Sequence, residues 1–141
     1  MSEESTTTDL VELTRGVLEA INRRVMDAVM SRCLPDCVYD PSPTGQLGRF
    51  EGPAAIRGFL EDWWGAFEEL RFDVVEVRDL GGGVVLAVVW QDARPAGSTR
   101  YVRAREAYVT EWVGEMVARN SVYLDIDAAR AAAERLAEER R

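Results

Sequence analysis

At 141 residues, with 47% apolar and 30% charged residues, the chain has the composition of one globular domain, able to bury a core without disulfides or metals. A net charge of −8 argues against nucleic acid or an anionic membrane as partner, no apolar run approaches the ~20 residues of a membrane span, and the acidic, polar start (MSEESTTTD) is unlike a signal peptide. Without histidine, and with two cysteines, the chain lacks the commonest general base and any zinc or iron ligand set, so no metal or cofactor is expected and a cytoplasmic setting is the default.

Residues 1–8 read as a disordered start. Asp9 with Glu12 marks a helix N-terminus, and Leu10, Leu13, Val17 and Ile21 then recur at helical spacing. Asn22-Arg23-Arg24 interrupts the pattern; Val25, Met26, Val29 and Met30 predict a second short helix, ended by Leu34-Pro35-Asp36. Cys33 and Cys37 flank that break and read as reduced, buried thiols, with a regulatory disulfide as the alternative.

Cys37 to Asp40 predicts a short strand running into the proline- and glycine-rich loop Pro41–Gly45. Gly52-Pro53 opens a third helix, whose stripe is Ile56, Phe59, Leu60, Trp63, Trp64, Phe67 and Leu70. Such a stripe is core, or the roof of a pocket, or both. Strands follow: Phe72–Leu80 and Val84–Asp92 around a triple glycine, then two runs within Arg100–Asp125 broken at Val113-Gly114-Glu115. Asp127 can cap a final alanine-rich helix, read as a peripheral tail over residues 127–141 that frays at its end. The main domain is accordingly residues 9–126, an α+β unit with helices on one face of a curved, mainly antiparallel sheet.

The Arg100–Asp125 pair carries the chemistry. Strand side chains alternate faces, so Val102, Ala104, Glu106, Tyr108, Thr110 and Trp112 share one face, and Asn120 and Val122 continue it on the next strand. One carboxylate, one phenol and one amide set singly into apolar surface is the pattern of a binding cavity. Glu106 there is either an acid/base group or a carboxylate paired with an arginine. Tyr108 either donates to a substrate oxygen or fills core. The opposite face, with Arg103, Arg105, Arg119 and Tyr123, suits a partner sheet in a homodimer.

The stretches VLEAINRRVMDAV, CVYDPSP, GRFEGPAAIRGFLEDWW, LRFDVVEVRDLGGGVVLAVV and VYLD, spanning about residues 10 to 126, resemble the SnoaL-like branch of the nuclear-transport-factor-2-like superfamily, which shares the ketosteroid isomerase fold. The resemblance implies a cone-shaped sheet with the N-terminal helices on its concave face, enclosing a pocket. It places Asp40 where ketosteroid isomerases carry the carboxylate that shuttles a proton beside a carbonyl. Tyr108 falls where those enzymes have a protonated aspartic acid and SnoaL-type cyclases a histidine. Val122 falls at the catalytic aspartate of those cyclases and at the last-strand aspartate of limonene-epoxide hydrolases, and Val17 at the second oxyanion donor of the isomerases. Asp40 otherwise reads as a carboxylate bonded into the turn after its strand.

Two functions are therefore expected. One is a cofactor-independent isomerase, cyclase or dehydratase for a small apolar carbonyl or polyketide-like compound, with Asp40, Glu106 and Tyr108 catalytic and Trp63, Trp64, Phe67, Asn120 and Val122 binding substrate. The other is a non-catalytic ligand-binding or dimeric accessory protein of the same fold.

Overall fold

The structure is a computed structural model, and it describes residues 9–46 and 48–141. The disordered start expected over residues 1–8 lies outside them. The elements in chain order are α1 (Leu10–Asn22), α2 (Met26–Met30), β1 (Cys33–Asp40), a 3-10 turn (Ser42–Thr44), β2 (Phe50–Glu51), α3 (Pro53–Gly65), β3 (Phe67–Gly81), β4 (Val84–Pro95), β5 (Val102–Val113), β6 (Met116–Tyr123) and α4 (Ile126–Glu139). One six-stranded sheet has the order β2-β1-β6-β5-β4-β3. β1 and β6 run parallel; the other neighbours are antiparallel. This is the expected α+β architecture: a curved mixed sheet, open at its two edges.

Local chemistry explains most element boundaries. Asp9 caps α1, its side chain accepting the Glu12 N–H at 3.1 Å. Gly52 enters α3 at φ 86 and donates its N–H to the Cys37 carbonyl at 2.8 Å, tying the helix start to β1. The stripe predicted from Ile56 to Leu70 stops early, because α3 ends at Gly65. Phe67 and Leu70 lie instead on β3, paired with Pro95 and Ala93. A short apolar run satisfies both periods, and the Gly65-Ala66 break decides between them. β1 is longer than expected, starting at Cys33. Its register jumps from Cys33–Val117 to Val38–Arg119, so Leu34, Pro35 and Asp36 bulge out of the ladder where proline needs no partner.

The sheet is built to curve. The β3–β4 pairing shifts register at Phe67/Glu69, Val74/Glu76 and Asp79/Gly81, each shift adding local bend. The triple glycine closes this hairpin with positive φ throughout. At Gly83 a Cβ would lie 2.5 Å from the Trp112 carbonyl oxygen, so no other residue fits there without moving β5.

Both faces of the centre are covered. Val84 to Val89 are each at most 1% exposed. On the outer face Val84, Leu86, Val88, Ala107 and Val109 pack against Ala129, Ala133 and Ala137 of α4. The final helix is therefore part of the core, not a peripheral tail. Its alanines supply little apolar area individually, but their small size lets the helix sit close on the sheet. Asp125, not Asp127, is its cap, accepting from Ala128 N at 3.0 Å. The last residues are held too: Arg140 donates to the Trp112 carbonyl at 3.4 Å and Arg141 to that of Leu80 at 3.2 Å. On the inner face α1 and α3 cover Phe72, Ala87, Val89, Tyr108 and Val122, and α2 joins them over Cys37.

Candidate functional site

The register sorts the predicted site residues by face. Tyr39, Asn120, Thr110 and Val85 align across β1, β6, β5 and β4; Val122, Tyr108 and Ala87 form the neighbouring row. Both rows face α1 and α3. Asp40, one residue on from Tyr39, aligns with Ser121, Val109 and Leu86 and faces outward.

Asp40 is thus separated from the other candidates by the thickness of the sheet. Its Oδ1 accepts the Ser42 N–H at 3.0 Å, closing the turn after β1, and its Oδ2 accepts from the Arg119 guanidinium. Burial alone would raise its pKa, but the hydrogen bonds from Ser42 and the Arg119 charge outweigh it and hold the carboxyl below the usual carboxylate value. That is the turn carboxylate, fixed in its charged form.

On the inner face a cavity of about 100 Å³ opens between the sheet and the three N-terminal helices, against the roughly 10–15 Å³ that one water needs. Tyr39, Tyr108, Thr110, Trp112 and Asn120 line it from the sheet. Trp63 and Trp64 line it from α3, Thr14 and Leu18 from α1. Trp63 stands near Phe72 at 6.3 Å between centroids, and Phe72 meets Tyr108 edge-on at 6.2 Å. Phe67 supports this wall from behind, edge-on to Trp63 at 5.7 Å, and Val122 packs beside Tyr108 in the core. Neither Phe67 nor Val122 is on the lining itself.

Glu106 and Tyr108 act as a unit. They lie two apart on β5, hence on one face, and the Tyr108 hydroxyl donates to Glu106 Oε1 at 2.8 Å. With the Gln91 amide turned to satisfy both groups, its nitrogen lies 3.0 and 3.1 Å from the two carboxylate oxygens. Among the described residues Glu106 has no ion pair. Burial pushes its pKa above the ordinary carboxylate value, and the Tyr108 bond pulls back only part of that rise. Tyr108 is on the lining and Glu106 is not, so of the pair the tyrosine is the residue that borders the cavity. Burial and the nearby carboxylate push the phenols of Tyr39 and Tyr108 up as well, keeping both protonated. Tyr39, beside Phe59 at 5.5 Å, is a site residue that sequence reasoning missed. Alternation along β1 carried the signal, because only one of Tyr39 and Asp40 can face inward.

Asn120 is oriented by its neighbour: Thr110 Oγ1 donates to Asn120 Oδ1 at 2.7 Å, leaving the amide N–H₂ as its free function. Thr14, Trp64 and Trp112 are at most 5% exposed, and their side-chain polar atoms have no hydrogen-bond partner among the described residues. Cys33 and Cys37, brought together by the β1 bulge, form one end of the wall. Burial and the neighbouring Cys37 push the Cys33 thiol up to about 12, an unreactive thiol. Of the residues offered to a partner sheet, Arg119 is engaged by Asp40 and Tyr123 packs against the α4 cluster. Arg103 and Arg105 stack over Trp90 at 4.4 and 5.7 Å. No helix among the described residues is long and apolar enough to cross a membrane.

The sequence profile of the SnoaL-like domain matches residues 14–120. No curated protein matches the sequence. Among solved structures, an NTF2-like protein of unknown function from Burkholderia pseudomallei K96243 superposes with a TM-score of 0.74 at 16% identity, over 90% of this chain and 98% of that one. A protein with the ketosteroid isomerase-like fold from Catenulispora acidiphila DSM 44928, solved with trimethylamine, gives 0.72 at 14% identity over 86% and 92%. A candidate SnoaL-like polyketide cyclase from Shewanella putrefaciens CN-32 gives 0.69 at 11% identity over 90% and 97%. At such identities these likenesses speak for the fold, which they share across most of each chain.

Proposed function

We propose that this chain, which belongs to the SnoaL-like domain family, binds a small apolar carbonyl compound in its inner cavity and moves a proton on it without a cofactor. The observation that carries the reading is Glu106: a half-buried carboxylate whose proton affinity is raised by desolvation, without an ion pair among the described residues and hydrogen-bonded to a phenol on the cavity wall. A base works best when its pKa approaches the working pH, and burial moves Glu106 that way.

The geometry suits a relay. As the Tyr108 proton passes to Glu106, the phenol oxygen takes a proton from the carbon beside the substrate carbonyl. Tyr108 ends neutral, Glu106 ends protonated, and the substrate becomes an enolate. Concerted transfer avoids a free phenolate, which the burial of Tyr108 disfavours. The Asn120 amide N–H₂ and the Tyr39 hydroxyl are donors for the enolate oxygen. Return of the proton to another atom gives isomerisation, attack on a second carbonyl gives cyclisation, and loss of a β-hydroxyl gives dehydration. Asp40 has no part in this relay; its contribution is to the β1 turn.

A second reading, a non-catalytic binding or accessory protein of this fold, draws on Val17 and Val122 at positions where relatives are expected to carry polar groups. In either reading the chain is a cytoplasmic homodimer, for which exposed Val75 in the middle of β3 and Tyr101 and Val102 at the start of β5 offer apolar surface. The test is exchange of the α-protons of 2-tetralone for deuterium, followed by NMR. Wild type should accelerate exchange, and Glu106→Gln and Tyr108→Phe should each slow it by about 10²-fold or more. Bound 2-tetralone exchanging at the solvent rate would select the non-catalytic reading.

A further inference from the structure

The inner-face positions of β4 are Val85, Ala87, Val89, Gln91 and Ala93, and Gln91 is the one polar residue among them. It lies two residues along from Val89, whose partner across the β4–β5 ladder is Glu106. Gln91 is thus diagonal to Glu106 on the same face, within reach of a long side chain. Both residues are half-buried, and neither is on the cavity lining. One end of the Gln91 amide meets both carboxylate oxygens, 3.0 Å from Oε2 and 3.1 Å from Oε1. Tyr108 donates to Oε1 at 2.8 Å, so the carboxyl group is held from two sides. The ionisable groups that bear on Glu106 among the described residues are Tyr108 on its own strand and Tyr39 on β1, and no charged side chain of α1, α3 or β3 joins them.

A primary amide donates at one end and accepts at the other, and its shape is nearly the same either way round. A carboxylate only accepts, whereas a carboxylic acid also donates. The proton on Glu106 therefore decides which end of Gln91 faces it. With Glu106 charged, the N–H₂ faces it and both ends of the amide are satisfied. With a proton on Oε2, the amide oxygen must face it, and the N–H₂ then meets a donor at the far end. A half-turn of the carboxyl group carries a proton received at Oε1 to the Gln91 side. We propose that Gln91 is a positioning residue for Glu106, turning its amide end for end as Glu106 gains and loses a proton. Glu106 stays hydrogen-bonded in one place in both states, and the mismatch of the turned amide favours return of the proton. This deepens the proposed function, on which it rests for its use, by naming the side chain that places the carboxylate.

The experiment is a pH titration of the full chain without ligand, following the Glu106 carboxyl carbon and the Gln91 side-chain N–H₂ by NMR. Gln46 and Gln91 are the only glutamines in the chain, which makes the amide signals simple to assign. In wild type both groups should titrate with one midpoint, and the contacts of the N–H₂ protons with the Glu106 methylenes should fade below it. Gln91→Met keeps the length of the side chain without the amide, and should raise the Glu106 midpoint by about one pH unit, tenfold in proton affinity. Gln91→Lys supplies a fixed cationic donor and should lower it. A side chain that merely packs would shift the midpoint the same way in both variants or not at all. That result overturns the inference, as does an amide whose signals stay constant through the Glu106 midpoint in wild type, a measurement that needs no variant to fold. Either result, with wild type still exchanging the α-protons of 2-tetralone, leaves the proposed function standing. Opposed shifts in a protein that exchanges no α-protons support the inference and remove only the relay.

Discussion

Glu106 and Asp40 show how environment divides two carboxylates of one chain. Glu106 is half-buried and has no ion pair among the described residues, and desolvation lifts its folded pKa above its unfolded value. The folded state then holds the extra proton. The resulting stabilisation is full below the unfolded value and is lost as pH rises toward the folded one. Glu106→Gln should therefore melt with wild type at acid pH and above it at neutral pH, with about 2–4 °C for each kcal/mol of relieved burial. A melting difference that does not change with pH would contradict this. Asp40 has the opposite sign: its folded pKa is depressed, so its stabilisation is present above the unfolded value and lost as pH falls through the folded one. Asp40→Asn should cost about 1–2 kcal/mol at neutral pH, measured by denaturant melts, and leave 2-tetralone affinity unchanged. A large loss of binding would return Asp40 to the site. The sequence displayed Glu106 through alternation along β5. For Asp40 it left a base and a turn carboxylate side by side, because the resemblance fixes a position in the chain, while only the register across β1 and β6 fixes the face.

At the scale of elements, the hairpins and helix starts were legible because each has local chemistry: Asp9 as a cap, Gly52-Pro53 as an entry, the glycines as turns. Gly83→Ala should cost more than about 1 kcal/mol, because a Cβ there meets the Trp112 carbonyl at 2.5 Å and φ is +83. A neutral result would mean that the β3–β4 turn is not held against β5. The role of α4 was not legible from its composition, because an alanine stripe has little apolar area and its worth lies in close approach. The complementary signal was in β4, where Val84 to Val89 form an unbroken apolar run that needs cover on both faces. Ala133→Leu should overpack that contact and cost about 1–3 kcal/mol. If the variant were as stable as wild type, α4 would not be seated as described.

Over the whole molecule, the sheet is one partition with two uses. The centre of its outer face is covered by α4 and carries stability; its inner face, under α1, α2 and α3, keeps a cavity. The fold was readable because hydrophobic period and turn residues agree along the chain. The cavity's polar detail was not, because the pairing of Thr110 with Asn120 and the isolation of the two indoles arise only from the superposition of distant elements. The central claim is that Glu106 is the proton-holding group of that cavity. The most direct measurement is the pH titration of the Glu106 side-chain carboxyl by ¹³C NMR. The midpoint should lie above the ordinary glutamate value and rise further in Tyr108→Phe, which removes the hydrogen bond that favours the charged form. A midpoint at the ordinary value, unmoved in Tyr108→Phe, would contradict the account.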